Sequence, residues 1–243
     1  MINIIRVPDT LPSLATQEIK SYLDALSKHF EDKVTNPKPE RKQEYRNWDV
    51  LEAFDNCFFS KCYLTEKKAP ANAWIFEIDH FIPKNEQPAL VFEWANLFPC
   101  DAHTNNIRPR KTPPGGYLNP CNPADDVETE IVYDMDFQTD HLMFKPASTH
   151  NSKAINTADL LNRIHNGHDA NTKKLTENLR AEIRKRSSEI KKVLGKWQIA
   201  IEGTPEKEEY LEELRGYLSR KESFTMLMRS MPIVQKYLSH LFD

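Results

Sequence analysis

The chain has 243 residues, a formal net charge of −3, 28% charged and 10% aromatic residues, six glycines and four cysteines. That length supports a sizeable core without disulfides, the aromatic content argues against wholesale disorder, and so few glycines give little material for a glycine-rich phosphate loop. With no C-x-x-C pair, no 18-residue apolar run, and an opening MINIIRVPDTLPSL too proline-broken for a signal peptide, reduced thiols in a cytoplasmic protein off the membrane are expected.

In chain order, residues 14 to 34 space Ile19, Tyr22, Leu23, Leu26 and Phe30 as one face of a helix. The segment 36 to 47 reads as a polar connector. A second helix starts near Asn47, a candidate cap, and buries Val50, Leu51, Phe54 and Phe58. From 62 to 121 the chain is rich in proline, which excludes long helices. Residues 73 to 79 and 130 to 137 alternate as short strands. Residues 89 to 98 fit a helical turn or two, and 103 to 126 reads as a surface loop.

Helical spacing returns at 156 to 164, with a stop near Asn166-Gly167. It continues at 171 to 197, at 204 to 221 behind a Thr-Pro start, and at 224 to 242, where Pro232 restarts the helix. Between 173 and 192 eight basic side chains face three acidic ones. That run serves equally as a solvated face with i,i+4 pairs or as a phosphate-contacting track. The expected organisation is an α+β, mostly helical chain in three parts. Residues 1–48 form a helical lead-in, 49–140 a compact central core, and 141–243 a helical C-terminal region.

The chemistry concentrates in FEIDHFIPK, residues 76 to 84. It places Asp79 and His80 inside an otherwise apolar strand. An imidazole titrates near working pH and suits a general base, while Asp79 is a hard oxygen ligand suited to Mg²⁺ or Mn²⁺. Adjacent strand residues point oppositely, so the two can face different partners. Asn96 can orient the imidazole. His103, Asn105 and Asn106 are candidate second metal ligands. Arg108, Arg110 and Lys111 follow directly, with Lys84 beside Pro83, and this basic set is placed to meet phosphate oxygens.

FFSKC (58 to 62), DHFIPK (79 to 84), WANLFPC (94 to 100), NNIRPRKTP (105 to 113) and LNPCNPADD (118 to 126) together resemble the HNH endonucleases, whose core is a ββα-metal finger. The branch most similar is the HNH nuclease subunit of Septu-type anti-phage systems and related retron-linked effectors. The likeness covers roughly residues 50 to 130. It implies a metal-dependent nuclease acting on nucleic acid, with DNA the expected form and an ABC-type ATPase as partner subunit. It implies His80 as general base, Asp79 as metal ligand, Asn96 as the residue that positions His80, and Asn105 as second metal ligand, with His103 and Asn106 as alternatives. Arg108 sits where the family usually has Lys.

Members of that family often hold a structural zinc on two C-x-x-C knuckles. Here only Cys62, Cys100 and His103 remain, with Cys57 a distant fourth. A closed zinc site needs four ligands, which weighs against a structural zinc. The missing cysteines leave a second reading: a catalytically decayed finger that binds nucleic acid or protein.

Overall fold

The computed structural model describes residues 1–40, 44–70, 75–136 and 141–243. It is a mostly helical α+β chain with two small antiparallel sheets. No helix among the described residues is long and apolar enough to cross a membrane.

Helix α1 (Gln17–Glu31) starts where the Thr16 side chain accepts from the Ile19 N–H. Part of the connector after it lies outside the described residues. Helix α2 (Trp48–Phe58) buries Val50, Phe54 and Phe58, four residues apart on one face. It begins after Asn47 as expected, but that side chain makes no cap bond.

Strand β1 (Glu77–His80) pairs antiparallel with β2 (Leu97–Cys100), His80 opposite Leu97 and Glu77 opposite Cys100. The expected strand began at residue 73, and 73 and 74 lie outside the described residues. Residues 89 to 98, expected as helical turns, divide instead. Two 3-10 turns, Pro88–Leu90 and Trp94–Asn96, lead into β2. All four β2 residues are buried, so no polar alternation announced a strand. Pro99 is tolerated because a two-stranded sheet has only edges.

Helix α3 (Ala102–Ile107) occupies the start of the expected 103–126 loop. At six residues it is too short to show a period, and its signal was the cap, Asp101, which accepts from the His103 N–H at 2.9 Å. The order β1, β2, α3 is a ββα unit.

Short helix α4 (Val127–Glu130) leads into β3 (Ile131–Asp136), which pairs antiparallel with β4 (His141–Pro146). The expected strand ran to residue 137, which lies outside the described residues. Helix α5 (Ser152–Asn166) lies against β4. Asn162 accepts from the Phe144 N–H at 3.1 Å and donates to its carbonyl at 2.8 Å, and Asn166 treats Leu142 alike. The two amides, one helical turn apart, stand in for a neighbouring strand. Helix α5 stops at Gly167, as expected. Its φ is +71°, and a Cβ there would lie 2.4 Å from the Lys173 nitrogen, which leaves room only for glycine.

The expected 171–197 helix divides at buried Thr176 into α6 (Ala170–Leu175) and α7 (Glu177–Ile199). Helix α8 (Pro205–Leu218) returns along α7, capped by Thr204. Helices α9 (Thr225–Arg229) and α10 (Pro232–Leu238) close the chain. Buried Glu66 joins three parts of the fold. It accepts from the Met1 ammonium at 2.8 Å and the Met226 N–H at 3.4 Å, and it pairs with Lys61, whose ammonium also donates to the Arg220 and Glu222 carbonyls.

Candidate active site

The ββα unit brings His80, at the end of β1, beside Asn105 on α3. Both line a cavity of about 270 Å³ that also takes in Glu77 and Lys84. They share a second cavity of about 410 Å³ with Asp79, Asn106, Lys84, Arg108 and Arg110. The two cavities meet along His80 and Asn105 and form one polar groove.

His80 is half-buried, with Tyr45 standing edge-on to its ring at 6.2 Å between centroids. Its Nε2 lies 3.0 Å from the Val91 carbonyl oxygen. A carbonyl only accepts, so Nε2 carries the proton and Nδ1 is left with the lone pair. Burial lowers the imidazole pKa from its ordinary value, against smaller opposing effects of the Val91 carbonyl and Asp79. The ring is therefore neutral at neutral pH, the form a general base needs.

Asn96 is buried beneath the loop between the strands. Its Oδ1 accepts from the Ile82 N–H at 2.7 Å, and its Nδ2 donates to the Ile82 and Leu90 carbonyls at 3.1 and 3.0 Å. It makes no direct bond to His80. It fixes Leu90, the neighbour of the Val91 carbonyl that bonds the ring, and so braces the loop beside the imidazole. Arg6 braces the same loop from beneath. It lies over Phe58, Trp94 and Phe98 and donates to the Trp94 and Leu97 carbonyls, each at 2.7 Å.

Arg108 has a different place from the one its position in a basic run suggested. It is 8% exposed and spends its guanidinium on the Asp79 carboxylate, the His80 carbonyl at 2.9 Å and the Phe81 carbonyl at 2.6 Å. Burial alone would lower its pKa, but Tyr63, Asp79 and Cys100 together raise it. It is a clamp on the end of β1 rather than a phosphate contact. Arg110 and Lys111 are exposed, as is Lys84. Thr112 donates its N–H to Glu86 at 2.8 Å, which holds this basic run over the loop that carries Lys84.

Asp79 takes both of its bonds at one oxygen, Oδ2, from Arg108 and from the Tyr63 hydroxyl at 2.8 Å. Neither partner bonds Oδ1. Asn105 donates Nδ2 to Glu77 Oε2 at 2.6 Å, which leaves its amide oxygen as an acceptor. Two such oxygen donors beside one groove suit a hard divalent cation such as Mg²⁺ or Mn²⁺. Asn106 sits at the rim. His103 lines neither cavity, because two helical residues before Asn105 put it on the opposite side of α3. The expectation that His103 reaches the Asp79 site is corrected on that ground.

Cys62 and Cys100 meet as buried thiols. Burial pushes the Cys62 thiol up, but hydrogen bonds from Cys100, from Thr65 and from the Asp101 backbone bring it down to about 7. Both ring nitrogens of His103 are buried without a partner. Among the described residues no three or more His, Cys, Asp or Glu side chains gather as a metal-holding group. Cys57 turns away, donating to the Val7 carbonyl at 3.2 Å.

Glu77 and Tyr63 are site residues that the sequence reading passed over. Glu77 is legible by alternation, since it stands two residues before Asp79 on the same strand face. Nothing local marks Tyr63, which reaches Asp79 only through the fold. No protein-family model matches the chain, and no curated protein matches its sequence.

Proposed function

We propose that the chain is a metal-dependent endonuclease of the HNH type that hydrolyses phosphodiester bonds of nucleic acid, with DNA the expected substrate. The observation that carries this reading is the convergence of His80 and Asn105 on one groove of a ββα unit, with Asn96 beneath the connecting loop. The neutral His80 takes a proton from water at Nδ1. Asn96 and the Val91 carbonyl keep the ring in that tautomer and orientation. Lys84, Arg110 and Lys111 meet the phosphates along the groove. Asp79 through Oδ1 and Asn105 through its amide oxygen would hold one divalent ion. Such an ion supplies charge stabilisation at the scissile phosphate and the leaving oxygen.

An anti-phage effector acting with an ABC-type ATPase in the cytoplasm is the biological setting we propose. It rests on the motif resemblance alone. The test of the chemistry is plasmid cleavage by the purified chain with Mg²⁺ or Mn²⁺, abolished by chelation and restored by added metal. Intact plasmid under all of these conditions overturns it.

One observation favours a second reading. Arg108 already neutralises Asp79 inside the protein, as a finger retired from catalysis into a binding module would allow. That reading predicts retention of nucleic acid without cleavage, and the same assay separates the two.

A further inference from the structure

We propose that Glu77 is a positioning residue that decides which end of the Asn105 side chain faces the groove, and so makes Asn105 an oxygen donor toward a divalent cation. This rests on the nuclease reading above and adds a residue to it.

The argument starts from two registers. Glu77 and Asp79 are two apart on β1 and share a face. Asn105 stands in the last turn of α3 and Arg108 is the residue that caps its end, and both side chains turn to β1. The strand and helix therefore meet in two rungs. Arg108 closes on Asp79, and Asn105 donates Nδ2 to Glu77 Oε2 at 2.6 Å. The first rung fixes the helix against the strand. The second acts on an amide whose two ends are almost the same shape.

Only the oxygen end of that amide binds a hard cation, whereas the NH₂ end repels one. A carboxylate can only accept, so Glu77 must take the NH₂ end, and the oxygen is left for the groove. Glu77 and Asn105 line the same cavity as His80, so the selection is made beside the base. With a neutral amide at position 77, either end of Asn105 can be held, and the preference is lost.

The test is Mn²⁺ binding, followed by the loss of the free-ion electron paramagnetic resonance signal. It compares the full chain, Glu77→Gln, Asn105→Asp and the double variant, each checked for folding by circular dichroism. Glu77→Gln is expected to weaken Mn²⁺ binding roughly ten- to hundredfold, the usual effect of removing a residue that orients a ligand. The Asn105→Asp carboxylate has oxygen at both ends and no wrong end to present. In that background Glu77→Gln is therefore expected to cost less than about twofold. Glu77→Ser, which removes the reach to Asn105, repeats the comparison should the Gln variant fold poorly.

Equal losses in both backgrounds overturn the positioning role, because they make Glu77 a ligand in its own right or a structural prop. No loss in either background also overturns it. A parent that takes up no Mn²⁺ overturns both this role and the metal-dependent reading. A parent that shows the expected binding pattern but leaves nucleic acid intact overturns cleavage alone.

Discussion

Asn96 grips Ile82 from both sides, accepting its N–H at 2.7 Å and donating to its carbonyl at 3.1 Å. A side-chain amide here does the work of a paired strand for a loop that has none, as Asn162 and Asn166 do for β4. Removing it strands part-buried backbone groups. Asn96→Ala is expected to lower stability by about 1–3 kcal/mol, the cost of leaving such groups unpaired. Urea unfolding measures this. Asn96→Asp sets a buried carboxylate against the Ile82 and Leu90 carbonyls, so it is expected to be no more stable than the Ala variant. An Ala variant as stable as the parent would contradict the bracing role.

Arg108 and its basic neighbours should separate cleanly. Arg108→Ala leaves Asp79 buried beside an unpaired carbonyl pair, and is expected to destabilise the fold by about 3–5 kcal/mol. Arg108→Lys does not restore it, since an ammonium lacks the planar fork that spans three acceptors. Arg110→Ala and Lys111→Ala are expected to leave the unfolding midpoint unchanged and to weaken nucleic-acid binding. Each should reduce the slope of log affinity against log salt by about 1. A reversal of this pattern, with Arg108 governing the salt slope, would return it to the phosphate-binding set.

Much of the helical frame was legible from spacing and punctuation. The stop at Gly167, the Thr204-Pro205 start and the restart at Pro232 all occur where those residues stand. The ββα unit was not legible locally. Strand β2 is buried on both faces and α3 spans under two turns, so neither shows a period. The expectation of a ββα finger came from the motif resemblance, and no local period carried it. Arg108 misled because a run of basic residues looks alike whether its members reach solvent or a buried carboxylate. Tertiary position alone distinguishes them.

Stability should depend on pH through His165. This residue is buried on α5, bonds the Leu161 carbonyl at 2.8 Å through Nδ1, and lies tilted over Phe144. Burial lowers its pKa from 6.5 to about 4. The folded value lies below the unfolded one, so the unfolded chain binds the extra proton first. The neutral-histidine contribution is thus present above the ordinary value and is lost as pH falls from 6.5 toward about 4. The loss is on the order of 3 kcal/mol across that window. Urea midpoints at several pH values check it, with His165→Phe as control. The variant should lose this part of the slope. Identical slopes in both proteins would contradict the assignment.

The same sign argument applies to His80 and the reaction. Its imidazole is held below the ordinary value of 6.5, mainly by burial, so it stays neutral further into acid than a free histidine. The acid limb of metal-dependent cleavage is therefore expected to be centred below 6.5. An acid limb centred above 6.5 would contradict it.

The most direct measurement is the single-turnover rate of plasmid cleavage by His80→Ala beside the parent, with Mg²⁺ or Mn²⁺ present and folding matched. With Nδ1 as the base, the variant is expected to lose about a hundredfold or more in rate, the usual worth of a positioned proton acceptor, while still binding DNA. A variant that cleaves as fast as the parent would contradict the account.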